Sequence, residues 1–135
     1  MHEWALAEGV VSTALKIADE RNARKILEIR IKVGKLQQID SEIFEFALKE
    51  LAKNTKAEES KIRLEPEEVV LICNLCNHEW SFDEVSERLS PEESELIHFF
   101  PEVVHTYARC PECGSPDFRI EGGRGAWIDS IEMEA

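Results

Sequence analysis

No cysteine in this chain stands outside two short pairs, and the other absences narrow its class further. The 135 residues hold four cysteines, Cys73 with Cys76 and Cys110 with Cys113. Positive charge is scarce. Sixteen lysines and arginines face 28 aspartates and glutamates, for a formal net charge of −12. A nucleic-acid binder needs a basic face to displace counterions from phosphates, and no basic aromatic strip exists to stack bases, so no nucleic-acid partner is expected. An anionic membrane surface repels an acidic protein. No apolar run has the length to cross a bilayer, and no basic start leads into an apolar stretch of the secretory kind, so no membrane partner is expected and the expected location is cytoplasmic. A P-loop, a dinucleotide fingerprint and a Ser-His-Asp grouping are all missing. The one glycine-rich stretch, Gly122-Gly123-Arg124-Gly125, lacks the spacing and strand–helix context of a phosphate cradle. These absences speak against an enzyme.

What is present starts with Cys73-Asn-Leu-Cys76 and Cys110-Pro-Glu-Cys113-Gly114. Two residues between cysteines let a tight turn aim both sulfurs at one ion. Two facing turns supply the four thiolates of a tetrahedral zinc site. Gly114 stands where such a turn needs positive φ. The alternatives are two disulfides, a redox pair or an iron–sulfur centre. Disulfides call for an oxidising compartment, and a redox pair for a βαβ setting; neither is signalled. Four thiolates close the zinc shell and leave no position for a reactive water, so the zinc is structural. His78, beside Cys76, is assigned no site role.

Around this stretch the apolar pattern predicts helix, strand, helix and strand. Leu6, Val10, Ala14, Ile17 and Ala18 form a stripe over a helix from Glu3 to Arg21. From Lys25 to Val33, Leu27, Ile29, Ile31 and Val33 alternate with charged residues, which predicts a half-buried strand ending at Gly34. Asp40 is an N-cap for a helix from Ser41 to Lys53, with Ile39 stapled onto Phe44 and Ile43, Ala47, Leu48 and Leu51 turned inward. Lys61 to Leu64 alternates until Pro66 interrupts. Val69 to Ile72, His78 to Phe82 and Phe118 to Glu121 predict short strands around the cysteines. Ser90-Pro91-Glu92-Glu93 predicts a capped helix ending near Phe100. Ala126 to Glu134 is a last strand with Trp127, Ile131 and Met133 inward. The expected class is α+β: two helices on a three-stranded sheet built from residues 1–69 and 124–135, with an inserted four-cysteine zinc-ribbon-like domain at residues 70–123.

A second feature is the start, Met1-His2-Glu3. The terminal amine, the His2 backbone nitrogen and His2 Nδ1 close a five- and a six-membered chelate ring around one ion. Ni(II) and Cu(II) accept such nitrogen-rich, square-planar fields. The Glu3 backbone nitrogen or carboxylate is a candidate fourth donor. The dipeptide alone leaves a solvated tail open as the plainer reading.

Met1-His2-Glu3, the helix–strand–helix–strand unit, Val33-Gly34-Lys35-Leu36 and the late pair of Cys-x-x-Cys motifs together resemble the HypA family, the nickel metallochaperones of [NiFe]-hydrogenase maturation. The likeness spans nearly the whole chain. It implies a nickel-binding α+β domain, a structural Zn(II) domain held by Cys73, Cys76, Cys110 and Cys113, and Ni(II) carried as cargo by His2 with the Met1 amine and Glu3 beside it. It also implies delivery to the hydrogenase large subunit in concert with the GTPase HypB. The long spacer at 77–109 departs from the family pattern as an insertion. It carries His98 and His105, of which His98 is the candidate to complete the nickel set. The rival class is a zinc-ribbon protein-interaction adaptor without nickel function. The sequence does not give the oligomeric state.

Overall fold

The computed structural model describes residues 2–135. Its elements in chain order are α1 (His2–Glu20), β1 (Lys25–Gly34), α2 (Ser41–Ala52), β2 (Lys61–Glu67), β3 (Val70–Cys73), β4 (Glu79–Ser81), α3 (Phe82–Ser86), α4 (Pro91–Phe99), a 3-10 turn (Pro101–Val103), α5 (Val104–Tyr107), β5 (Phe118–Glu121) and β6 (Ala126–Glu134). Two three-stranded sheets form, one in the order β2-β1-β6 and the other β4-β3-β5. The chain divides into two compact units. The first comprises Met1–Val33, Ile39–Glu65 and Ala126–Ala135, and the second Gly34–Gln38 and Pro66–Gly125.

The first unit is two helices on the β2-β1-β6 sheet, the α+β arrangement its periodicity predicts. Its core joins Ala7, Val10, Val11, Ala14 and Ala18 of α1 to Ile26, Ile29, Ile31 and Val33 of β1 and to Phe44, Ala47, Leu48 and Ala52 of α2. Small residues dominate the inner stripe of α1, which lets the helices approach closely. Asp40 caps α2: its carboxylate accepts from the Glu42 and Ile43 amides at 3.0 and 3.1 Å. Ile39 and Phe44 are both buried, as a staple requires.

Three side-chain directions differ from the sequence pattern. Leu27, expected inward, is exposed while Ile26 is fully buried. The cause is a register shift against β6 between Ile26 and Glu28, a bulge that puts an extra residue into β1 and resets the alternation beyond it. Trp127, also expected inward, is 43 % exposed. A second shift skips Asp129, because Arg30 pairs with Ser130 and Ile31 with Ile128. Ile128 and Ile131 thereby pack on the core three residues apart, and Trp127 turns outward. In α2 the buried residue of the first turn is Phe44, and Ile43 lies outside. The staple selects Phe44, and the stripe follows from it through Ala47, Leu48 and Ala52, with Leu51 at its margin.

The second unit comprises Gly34–Gln38 and Pro66–Gly125, whereas the boundaries expected from sequence placed residues 34–38, 66–69 and 124–125 with the first domain. The physical reason is burial. Leu36 and Val69 belong to a core with Leu71, Trp80, Phe82, Val85, Ile97, Val104 and Phe118. Main-chain bonds hold the recruited loop: Gly34 N donates to Gly125 O at 2.7 Å, Lys35 N to Glu67 O at 3.1 Å and Leu36 N to Gly123 O at 3.0 Å. A side chain at Gly34 would collide with the Gly123 carbonyl, which explains the glycine that ends β1. In the second sheet β3 pairs antiparallel with both neighbours, Leu71 facing Trp80 on one side and Ile120 on the other. Helix α4 starts in a full capping box of Ser90 and Glu93 with a proline in its first turn, and ends one residue before the predicted stop.

Candidate metal centres

Strand β3 runs straight into the first cysteine pair, and the second pair leads on to β5. The two turns are copies of one another. Cys73 N donates to His78 O at 2.9 Å and Asn77 N to Cys73 O at 3.0 Å; Cys110 N donates to Ser115 O at 2.9 Å and Gly114 N to Cys110 O at 2.8 Å. The residue after each pair turns the chain through positive φ, Asn77 at 62° and Gly114 at 76°. Gly114 signals this turn in the sequence. Asn77 does the same work, and its signal is that asparagine tolerates the left-handed region better than other side chains. Inside the first turn the Leu75 and Cys76 amides point at Cys73 Sγ, 3.4 and 3.5 Å away.

The turns bring all four sulfurs within 4.8 Å of one another. Cys73 and Cys113 are 3.6 Å apart, as are Cys76 and Cys110. A tetrahedral zinc–thiolate shell has sulfur–sulfur edges of about 3.8 Å, so the cluster has the size of such a site without rearrangement. Separations this long are not disulfides, and all four cysteines are free thiols. The amides of Cys76 and Leu75 draw Cys73 down to about 7 against the effect of burial. The His78 amide favours ionised Cys76, yet burial and the neighbouring Cys110 sulfur push it up to about 12. Four sulfurs this close cannot all ionise by themselves, and a divalent cation removes that conflict. Cys73 and Cys110 are buried, whereas Cys76 and Cys113 face solvent. Of the spacer histidines, His105 is built into the fold. The His105 ring stacks on Phe118 at 4.2 Å, with Nδ1 3.2 Å from Pro116 O and Nε2 3.6 Å from Glu102.

Of the candidate nickel residues, Met1 lies outside the described residues. His2 is exposed and begins α1, and Glu3 is buried one residue on. The Glu3 carboxylate accepts from the Asp40 amide at 3.0 Å, so the first turn of α1 is tied to the cap of α2 within the first unit. Burial would raise the Glu3 pKa. Hydrogen bonding and nearby positive charge outweigh it and hold the group down to about 2. That carboxylate is employed in positioning the helix start. His98 lies in the last turn of α4 in the second unit, inside the capped helix that the sequence predicts, with Nδ1 2.5 Å from Gln37 O.

An α+β unit with an inserted module whose four cysteines could together close the shell of one ion has the make-up of a metal-handling protein. Residues 1–133 match the family described as hydrogenase/urease nickel incorporation, metallochaperone, hypA. This chain belongs to the HypA family. It is 48% identical over 134 residues to the hydrogenase maturation factor HypA of Pyrococcus abyssi, covering 99% of this chain and 96% of the relative. It is 30% identical over 139 residues to that of Methanopyrus kandleri, covering 99% and 94%. The solution structure of the Ni metallochaperone HypA from Helicobacter pylori matches in fold, with a TM-score of 0.65 at 19% identity over 98% of this chain and 97% of that one. The family handles nickel as cargo and is one of metallochaperones, not enzymes, and this chain adds a four-cysteine cluster fit for structural zinc. Its work of nickel incorporation is done with the hydrogenase maturation machinery. Among the described residues no helix is long and apolar enough to cross a membrane.

Proposed function

We propose that the chain binds Ni(II) at its N-terminus through the Met1 amine, the His2 backbone nitrogen and His2 Nδ1, with the Glu3 backbone beside them and His98 as a further donor. It then delivers the ion to the large subunit of a [NiFe]-hydrogenase, in concert with a HypB-type GTPase. Cys73, Cys76, Cys110 and Cys113 hold Zn(II), which shapes the second unit; the first unit is the nickel domain.

The observation that carries this reading is the built start of α1. A helix draws its own N–H groups into its ladder only from the fifth residue on, and a helix that begins at His2 therefore supports the use of the His2 nitrogen as a donor. The Glu3–Asp40 bond and the helix behind it give the donors a rigid base. Proton linkage suits a carrier: amine, imidazole and amide must all lose protons to bind, so acid or a competing ligand set releases the ion.

The test is a nickel titration of untagged full-length protein with zinc in place, beside His2→Ala. One nickel per chain is expected, lost in the variant with zinc content unchanged. Equal nickel binding by both proteins would remove His2 from the site.

A further inference from the structure

Asp117 joins the two cysteine turns. Its amide donates to Ser115 Oγ at 3.0 Å, in the turn that closes the second pair. Its carbonyl accepts from the Asn74 amide at 2.9 Å, and its carboxylate accepts from Asn74 Nδ2 at 2.9 Å. Asn74 lies inside the first pair, next to Cys73. The main-chain bond carries the β3–β5 ladder one step beyond its last pair, Cys73 with Phe118, and into the turn itself. All of these groups belong to the second unit.

The joint is fixed from a third side. The other end of the Asn74 amide, Oδ1, accepts from an Arg119 guanidinium nitrogen at 2.9 Å. A guanidinium only donates and a carboxylate only accepts, so a single orientation of the Asn74 amide serves both. Held at its backbone nitrogen and at both ends of its side chain, Asn74 sets the peptide plane that follows it. That plane carries the Leu75 N–H, which points at Cys73 Sγ 3.4 Å away. Groups bonded to a ligand atom orient it and tune its basicity. Pro111 stands at the matching place in the second pair, and proline has no N–H with which to form the main-chain bond. The tie therefore runs one way, from the first turn to the exit of the second.

We propose that Asn74 and Asp117 are positioning residues of the zinc centre. Their joint sets the spacing of the two turns and the aim of the Leu75 amide at Cys73, and it slows loss of the ion. This deepens the four-cysteine zinc reading given above and rests on it. It assigns neither residue a contact with the ion.

The test is zinc transfer from full-length, zinc-loaded protein to a colorimetric chelator. The absorption of Co(II)-substituted protein and Tm are followed in parallel. Asn74, Asp117 and Arg119 are exposed, so truncating them leaves no cavity in the core. Asn74→Ala and Asp117→Ala are each expected to speed transfer about fivefold and to shift the Co(II) bands. Combined, they are expected to go no further than either alone. Asn74→Asp sets carboxylate against carboxylate and is also expected to speed transfer. Adding Asp117→Asn restores a donor opposite an acceptor and is expected to return transfer towards the parent rate. This exchange serves if an alanine variant misfolds. Unchanged transfer and spectra in both alanine variants would overturn the proposal. So would losses that add without rescue, or faster transfer that tracks a falling Tm while the Co(II) bands stay in place. A parent protein without zinc on its four cysteines would overturn the zinc reading itself, and the proposal with it.

Discussion

The two units are held together by different physics. The first packs aliphatic and aromatic side chains from α1, β1 and α2 around Phe44 and Leu48, and no core member is a metal ligand candidate. The second includes two of its four cysteines among its core residues, Cys73 at 0% and Cys110 at 2% exposure, while their partners Cys76 and Cys113 lie at the surface. Its sheet consists of strands of four, three and four residues. A core this small is marginal by burial alone, and a cross-linking ion makes up the difference. The lesson is that one chain can hold a part that folds by water exclusion beside a part whose shape follows its metal load.

Zinc removal is the most severe way to break this contrast. Structural zinc–thiolate sites contribute on the order of 10 kcal/mol of apparent binding energy at neutral pH. Full chelation, or Cys73→Ser, is expected to collapse the amide dispersion of residues 70–73 and 118–121 and leave the α1 and α2 resonances in place. Native dispersion of those strands in metal-free protein would falsify the structural zinc assignment.

Phe44→Ala strikes the other unit. Truncating a fully buried phenylalanine costs about 3–5 kcal/mol. Thermal unfolding of α1 and α2 is expected to move to markedly lower temperature while zinc stoichiometry stays at one. Loss of zinc in this variant would show that the second unit depends on the first.

Acid separates the units more gently. Glu3 has its pKa lowered from 4.5 to about 2 in the fold. A depressed carboxylate contributes stability that is fully present above pH 4.5 and is lost as pH falls towards 2. Hydrogen exchange at the Asp40 amide is expected to accelerate through that window, and in Glu3→Gln the acceleration should flatten. An Asp40 amide whose protection ignores pH would contradict the bond.

The smallest effect concerns the paired turns. Gly114 sits at φ 76°, and a side-chain carbon added there would point into open space with nothing within 4 Å. Gly114→Ala therefore meets backbone strain alone and should cost about 1 kcal/mol. Asn77→Gly, at the matching place, should be close to neutral or slightly stabilising in chemical denaturation of zinc-loaded protein. Equal and large losses from both changes would point to side-chain roles beyond the turn.

Sequence alone determined the pieces whose reasons are local. Cysteine spacing is a matter of a few bonds on either side of a tight turn, so the four-thiolate cluster was readable before any fold was known. The Asp40 cap, the Ser90–Glu93 box and the alternation of β1 from Ile29 to Val33 are likewise settled among near neighbours. Tertiary structure decided what depends on distant partners. The bulges at Leu27 and Asp129 exist only because β1 and β6 must match each other, and they exchanged the burial expected of Leu27 and Ile26 and turned Trp127 outward. The transfer of Gly34–Gln38 to the second unit follows from a pocket for Leu36 and from carbonyls far downstream at Gly123 and Gly125. The Asn74–Asp117 joint, formed across 43 residues, leaves no periodic trace, because hydrogen bonds between separate loops obey geometry that only the folded chain creates.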